Sequence, residues 1–119
     1  MKNWYNYGII FALLSVGLGA FGAHGLSEIL TNNKMVDTFQ TAVRYHMFHS
    51  LALLFVGINA KNELTKDGLF FVIGIILFSG SLYLLAITNI KWLGAITPLG
   101  GVAFGIGWII MLIKSIKQN

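Results

Sequence analysis

The chain lacks cysteine entirely and is poor in charged residues. Without cysteine, disulfides, thiolate nucleophiles and cysteine-ligated metal centres are excluded. Charged residues make up 10% of the chain, whereas soluble domains carry about 25%. So few charges cannot cover the surface of a soluble fold, and 56% of the residues are hydrophobic. The composition therefore predicts an integral membrane protein.

Sequence signals for nucleic-acid binding and for catalysis are also missing. The net charge is +4, but the lysines are dispersed between apolar stretches and form no basic run. Residues 17–22 match the letters GxGxxG, yet they lie in an apolar stretch and follow no strand, so they indicate helix packing. We expect no enzymatic activity, no cofactor, no bound metal and no nucleic-acid partner.

Four apolar stretches dominate the chain, and each approaches the ~20 residues that a membrane-spanning helix needs. The pattern predicts an all-α integral membrane protein, a single four-transmembrane-helix bundle over residues 1–119. The approximate spans are residues 7–26, 42–60, 68–89 and 93–113. A signal peptide that is cleaved after the small residues 20–23 is the alternative to an uncleaved first helix.

The distribution of basic residues indicates an orientation. With four spans, one side of the membrane receives Lys2, Lys61, Lys66, Lys114 and Lys117. The other side receives Lys34, Arg44 and Lys91. Because basic residues concentrate on the cytoplasmic side, we expect a bacterial plasma-membrane protein with both termini in the cytoplasm.

Two of the four helices have unusual features. Helix two is predicted to be long, with its first turns standing above the bilayer, because residues 35–44 contain good helix formers and neither glycine nor proline. Helix four contains the only proline, and Thr97-Pro98 is a good helix start. We expect a break at or just before Pro98, with a simple kink or cap as the alternative.

Small residues mark faces where helices can approach closely. Helix one carries Ser15, Gly19 and Ala23 at intervals of four, and helix four carries Gly101 and Gly105. These faces serve either packing within one chain or the interface of a homo-oligomer. We expect a homo-oligomer, with membrane lipids as the other partners.

The polar residues that are costly in a membrane concentrate in its predicted outer half. His46 and His49 lie about 60° apart on helix two, and His24 closes helix one on the same side. The candidate binding residues are His24, Arg44, Tyr45, His46, His49, Tyr83 and Thr97. We expect His24, Arg44, His46 and His49 to converge on one site.

Such a cluster has a functional and a structural interpretation. Histidine and arginine can bind an anion, relay protons or, with Glu28, coordinate a metal ion. The same side chains can instead form hydrogen bonds that hold helix one against helix two. The residues alone leave both interpretations open.

Several blocks together resemble a known family. They are FGAHGL at residues 21–26, FQTAVRYHMFHS at 39–50, FSGSLY at 78–83, GAITPLGG at 94–101, and Gly107-Trp108. In this order they resemble domain-of-unknown-function family 423, small bacterial membrane proteins to which transmembrane protein 256 of animals is similar. The resemblance implies a multi-pass membrane protein of unassigned function, with no catalytic residue, substrate or cofactor to transfer. It also implies that the blocks with the candidate binding residues and Pro98 are the family signature.

Two classes of function follow. The first is a small homo-oligomeric transporter or channel with an outward-facing His/Arg pocket. The second is a lipid-binding, scaffolding or accessory membrane module that transports nothing. A continuous polar path through the bundle would favour the first, and a closed interior would favour the second.

Overall fold

A computed structural model of the chain describes residues 3–118, which form six α-helices and, over that range, no strand. The helices are α1 (Trp4–Ala23), α2 (Ser27–Asn32), α3 (Val36–Asn59), α4 (Lys66–Gly74), α5 (Gly80–Thr88) and α6 (Thr97–Gln118). A π-helical turn, Ile75–Ser79, joins α4 to α5, and a 3-10 turn, Lys91–Ala95, precedes α6. The predicted all-helical fold is confirmed.

Within the described residues, three helical segments are long and apolar enough to cross a membrane. They are Trp4–Ala23, Lys66–Thr88 and Lys91–Gln118. α3 has 24 residues and is therefore about 36 Å long at 1.5 Å per residue. It contains Asp37, Arg44 and two histidines, so it is less apolar than the other three. The long second helix is confirmed, whereas its role as a fourth span stays a prediction.

The break before helix four is confirmed. Residues 91–95 form the 3-10 turn, and the α-helix begins only at Thr97. Pro98 thus lies in the first turn of α6, where its missing N–H removes no helical hydrogen bond. From Thr97 to Gln118 the helix has 22 residues, or about 33 Å, enough for the ~30 Å hydrocarbon core.

α3 occupies the centre of the bundle, with α1 along one side and α4 and α5 along the other. α1 approaches α3 through small residues. A Cβ on Gly57 would lie 2.1 Å from the backbone nitrogen of Tyr5, and the Ser15 hydroxyl donates to the Val43 carbonyl across 3.2 Å. The interpretation as packing within one chain is therefore confirmed for Ser15 and its neighbours on helix one.

The glycines of α6 lie on two different faces of the helix, one packed against the rest of the chain and one open. Gly100 lies against the backbone of Phe78, and Gly107 lies against the ring of Phe71. A Cβ on Gly101 would meet only one atom, at 4.0 Å, and a Cβ on Gly105 would meet nothing within 4 Å. The contacts inside the chain therefore use Gly100 and Gly107, and the pair that was predicted as an oligomer interface faces outward.

Candidate functional site

The two histidines of α3 are buried, but they contact different helices. His46 faces α1 and α5, where it hydrogen-bonds with Tyr83. His49 faces α4 and α6, where it hydrogen-bonds with Trp108. Helical spacing places the two rings about 60° apart, and because α3 lies at the centre of the bundle, this rotation is enough for them to contact different helices.

Both ring nitrogens of His49 have a partner. Nδ1 lies 2.8 Å from the carbonyl oxygen of Tyr45, and the indole N–H of Trp108 donates to Nε2 across 3.0 Å. A carbonyl only accepts and an indole N–H only donates. Nδ1 therefore carries the proton, Nε2 is unprotonated, and the neutral ring has no nitrogen free for a metal ion or a substrate.

Aromatic rings surround His49 and fill the space between α3, α4 and α6. The ring of His49 stacks on Phe104 with centroids 3.5 Å apart and planes at 6°. Phe71 lies 5.5 Å from His49 and meets Trp108 edge to face at 4.9 Å. We call His49, Phe71, Phe104 and Trp108 the His49 cluster. Three of its members are buried, and Trp108 closes the cluster at the surface with 46% of its area exposed.

His46 forms the second buried contact. Its Nδ1 lies 2.8 Å from the hydroxyl oxygen of Tyr83, whose ring packs on Phe39 at 5.2 Å. The ring of His46 also meets Phe11 edge to face at 6.2 Å. Among the described residues its Nε2 has no hydrogen-bond partner. His46 therefore links α3 to both α1 and α5.

Serine hydroxyls near the two histidines bond to the backbone of α3. Ser79, in the π-helical turn, donates to the Ala42 carbonyl across 2.7 Å, and Ser50 donates to the His46 carbonyl across 2.7 Å. With the bond of Ser15 from α1, these contacts satisfy the buried hydroxyls. The bonds of Ser15 and Ser79 also hold neighbouring segments against α3, whereas the bond of Ser50 lies within α3.

Thr97 and Ser81 join α5 to the first turn of α6. Their hydroxyl oxygens lie 2.6 Å apart, and Ser81 also donates to the Phe78 carbonyl across 3.0 Å. This pair lies where the chain turns from the 3-10 segment into the last helix. Thr97, proposed from the sequence as a binding residue, has a structural partner here.

The predicted convergence of four residues on one site is wrong. His24 is exposed at the end of α1, and its backbone carbonyl accepts the Ser27 hydroxyl across 3.0 Å. Arg44 is also exposed, because it lies about 160° around α3 from His46 at 100° per residue. Only His46 and His49 are buried, and they face different helices.

Arg44 instead borders a cleft of about 590 Å³ between the end of α1, α2 and the first turns of α3. Its apolar walls include Leu30, Val36, Phe39 and Val43. Its polar residues are Ser27, Thr31, Gln40 and Arg44. We call this the α1–α3 cleft. Apolar walls with a few polar groups are typical of a small-molecule site.

An ion pair at the opposite end of the bundle, with a buried carboxylate and a partly exposed lysine, was not predicted from the sequence. Asp67, in the first turn of α4, is 3% exposed and lies 3.2 Å from the ammonium nitrogen of Lys114. Its carboxylate also accepts hydrogen bonds from the Thr65 hydroxyl and from the Gly68 N–H. Thr65 two residues before an aspartate at a helix start was the available signal, but nothing nearby identified Lys114.

The Asp67–Lys114 pair borders a second cleft of about 650 Å³. Asn59, Lys61, Glu63 and Met111 are among its other residues. We call it the α3–α6 cleft. Two lysines and two carboxylates line it, so their formal charges cancel.

A shared metal site is not formed by the residues that the structure describes. Over residues 3–118 no three histidine, aspartate or glutamate side chains lie close enough together to hold an ion. The ligand set considered from the sequence, three histidines with Glu28, is therefore not assembled.

Comparison with known proteins identifies the family. The model of DUF423, described as a protein of unknown function, matches residues 18–101. The chain is 48% identical to the UPF0382 membrane protein YwdK of Bacillus subtilis, over 98% of each chain. It is 42% identical to a UPF0382 membrane protein of Staphylococcus epidermidis, again over 98% of each. No solved structure matches. The chain therefore belongs to the DUF423 family of membrane proteins.

Proposed function

We propose that this protein is a lipid-binding membrane module and that it transports nothing. The observation that carries the proposal is the α1–α3 cleft, whose volume lies within the ~300–1,000 Å³ of ordinary ligand sites. Apolar walls suit methylene groups, and the nearby hydroxyl, amide and guanidinium groups suit a polar head. An amphiphile is the class of ligand that combines the two.

The packing between the two clefts supports a module without a transport path. Along α3, the α1–α3 cleft ends at Arg44 and the α3–α6 cleft begins at Val56. The His49 cluster lies between those levels, and Leu53 and Phe71 are fully buried there. A polar solute would have to displace these buried apolar side chains, and displacing close-packed interior groups is costly.

Filling the cleft tests the proposal. Ala23 is exposed and borders the α1–α3 cleft, so Ala23→Phe should occupy the space without disturbing the core. We expect native mass spectrometry of the protein, extracted in a mild detergent, to show at least a fivefold loss of bound phospholipid in this variant.

Ala20→Phe is the matched control. Ala20 is exposed on the same helix, but it does not border the cleft. This variant should bind phospholipid as the unmodified protein does. Equal phospholipid occupancy in both variants and in the unmodified protein would refute the cleft as the lipid site.

We also propose four membrane spans with both termini in the cytoplasm, α3 being the fourth span. The three apolar segments and the length of α3 support this topology. Single cysteines at Lys34 and Lys66 should react with an impermeant maleimide from opposite faces of the membrane, Lys34 from outside the cell. Labelling of both positions from the same face would eliminate an α3 that crosses the bilayer.

Self-association through α6 remains part of the proposal. The outward direction of Gly101 and Gly105 supports it, since a neighbouring helix could approach their backbone closely. Two copies joined in this way would leave the α1–α3 cleft free, because the cleft is formed by other helices.

A further inference from the structure

We propose that the ligand of the α1–α3 cleft is an anionic phospholipid whose phosphate pairs with the guanidinium group of Arg44. This inference rests on the proposed lipid-binding function and adds the charge of the headgroup and the residue that recognises it. It concerns the lipids of the surrounding bilayer and not a soluble phosphate compound.

Arg44 is a cation that has no counter-ion among the residues that the structure describes. Across residues 3–118, the single salt bridge joins Asp67 to Lys114, and no carboxylate lies within 4 Å of the Arg44 guanidinium. None of the side-chain hydrogen bonds of that part of the chain involves Arg44 either. A charged group at the membrane boundary is costly when it has no partner. An anionic headgroup would supply one.

The position of Arg44 on α3 directs its side chain into the cleft. Side chains of a helix tilt toward its N-terminus, and the N-terminal turns of α3 form one wall of the cleft. The side chain of Arg44 therefore runs toward Gln40, four residues earlier on the same face. Gln40 and Thr31 are uncharged donors at the same cleft, and a guanidinium binds phosphate through two parallel hydrogen bonds.

An exposed apolar surface continues from Arg44 toward the centre of the predicted span. Phe48, Leu51 and Phe55 follow at intervals of four, seven and eleven residues, within about 40° of Arg44 on the helix. All three are exposed on the surface of the chain. Acyl chains can lie along this stripe while the phosphate stays at Arg44. That is the order of polar and apolar groups in a phospholipid.

The charges of the two clefts differ, and they favour binding of an anionic headgroup in the α1–α3 cleft alone. Of the described residues, one cation and no carboxylate line the α1–α3 cleft. In the α3–α6 cleft, Lys61 and Lys114 are balanced by Glu63 and Asp67. Electrostatic attraction for an anionic headgroup therefore acts in the first cleft and is cancelled in the second.

Competition between two lipids tests the inference on the full-length protein. Phosphatidylglycerol and phosphatidylcholine with the same acyl chains are mixed in equal amounts, and native mass spectrometry measures which is retained. We expect a preference for phosphatidylglycerol of about tenfold, the size that one charge-assisted hydrogen bond supplies. Arg44→Gln should bring the preference close to one while lipid is still bound. Arg44→Lys should keep part of it.

Lys91→Gln removes the same charge from the same predicted side of the membrane, outside the cleft, and should leave the preference unchanged. Glycerol 3-phosphate, which has the anionic group without the chains, should not displace the lipid at millimolar concentration.

Displacement by that compound, or a preference that survives in Arg44→Gln, would overturn the inference. If Ala23→Phe does not reduce lipid binding, the proposed function itself fails. If Ala23→Phe reduces lipid binding but the unmodified protein does not distinguish the two lipids, only the headgroup assignment fails.

Discussion

His49→Ala is expected to lower the free energy of unfolding by about 4 kcal/mol. The substitution removes a ring that stacks on Phe104 at 3.5 Å, and it leaves a cavity among aromatic side chains. It also leaves the indole N–H of Trp108 without its acceptor. Both effects act in a buried position, since His49 is 5% exposed. Reversible unfolding in mixed micelles of a mild detergent and SDS would measure the change.

Two further variants separate the causes. His49→Phe restores a flat ring but accepts no hydrogen bond, so we expect a loss of about 2 kcal/mol, the cost of the unpaired indole N–H. His24→Ala is the matched histidine control, because His24 is exposed and its side chain has no hydrogen-bond partner among the described residues. It should change stability by less than about 0.5 kcal/mol.

The same series decides between the structural and the functional interpretation of His49. If the ring only fills and orients the core, the folded fraction of His49→Ala should bind phospholipid with the occupancy of the unmodified protein. Full stability combined with lost lipid binding would instead make His49 part of the binding site and contradict the proposal. A small stability loss, similar to that of His24→Ala, would show that the aromatic packing around His49 contributes little.

Gly100→Ala should destabilise the fold by about 3 kcal/mol. A Cβ at this position would lie 2.2 Å from the backbone nitrogen of Phe78 and 2.6 Å from its Cα. Backbone atoms in the middle of a helical segment cannot move away as the end of a flexible side chain can. The first turn of α6 must therefore separate from the π-helical turn, and the contact between Thr97 and Ser81 would be strained as well.

Gly105 supplies the control on the same helix. Its Cβ would meet nothing within 4 Å, so Gly105→Ala should be neutral or stabilising by up to about 1 kcal/mol, because alanine is the better helix former. Equal destabilisation by the two alanines would mean that the close approach at Gly100 is not what holds α6. The bulkier Gly105→Leu should leave the fold intact. If copies associate through this face, it should convert the oligomer to a monomer in native mass spectrometry.

Several features of the fold were predictable because they depend on neighbours along the chain. The length and apolarity of the segments around residues 7–26, 68–89 and 93–113 indicated helices that can cross a bilayer. The missing N–H of Pro98 and the N-capping tendency of Thr97 indicated where α6 begins. The predicted last span began at residue 93, whereas the observed α-helix begins at Thr97, since residues 91–95 form a 3-10 turn.

The candidate site was predicted less well than the helices. His24, Arg44, His46 and His49 were expected together near one end of the bundle, whereas His49 lies near the middle of α3 (Val36–Asn59). Their directions depend on which helices pack on each side of α3, and hydrophobic spacing does not contain that information. The ion pair between Asp67 and Lys114 was missed for a similar reason: its partners lie 47 residues apart.

By itself, the sequence determined that the chain is a helical membrane protein, which stretches of the chain form its long helices, and that cysteine chemistry is absent. These properties follow from composition and from interactions within one or two helical turns. Only the tertiary structure decided that His46 and His49 are buried against different helices. It also decided that Gly100 is enclosed while Gly105 is free, and that Arg44 borders a cleft with no counter-ion from residues 3–118. Each of these depends on how separate helices are rotated against one another, and that rotation is set by packing between residues far apart in the chain.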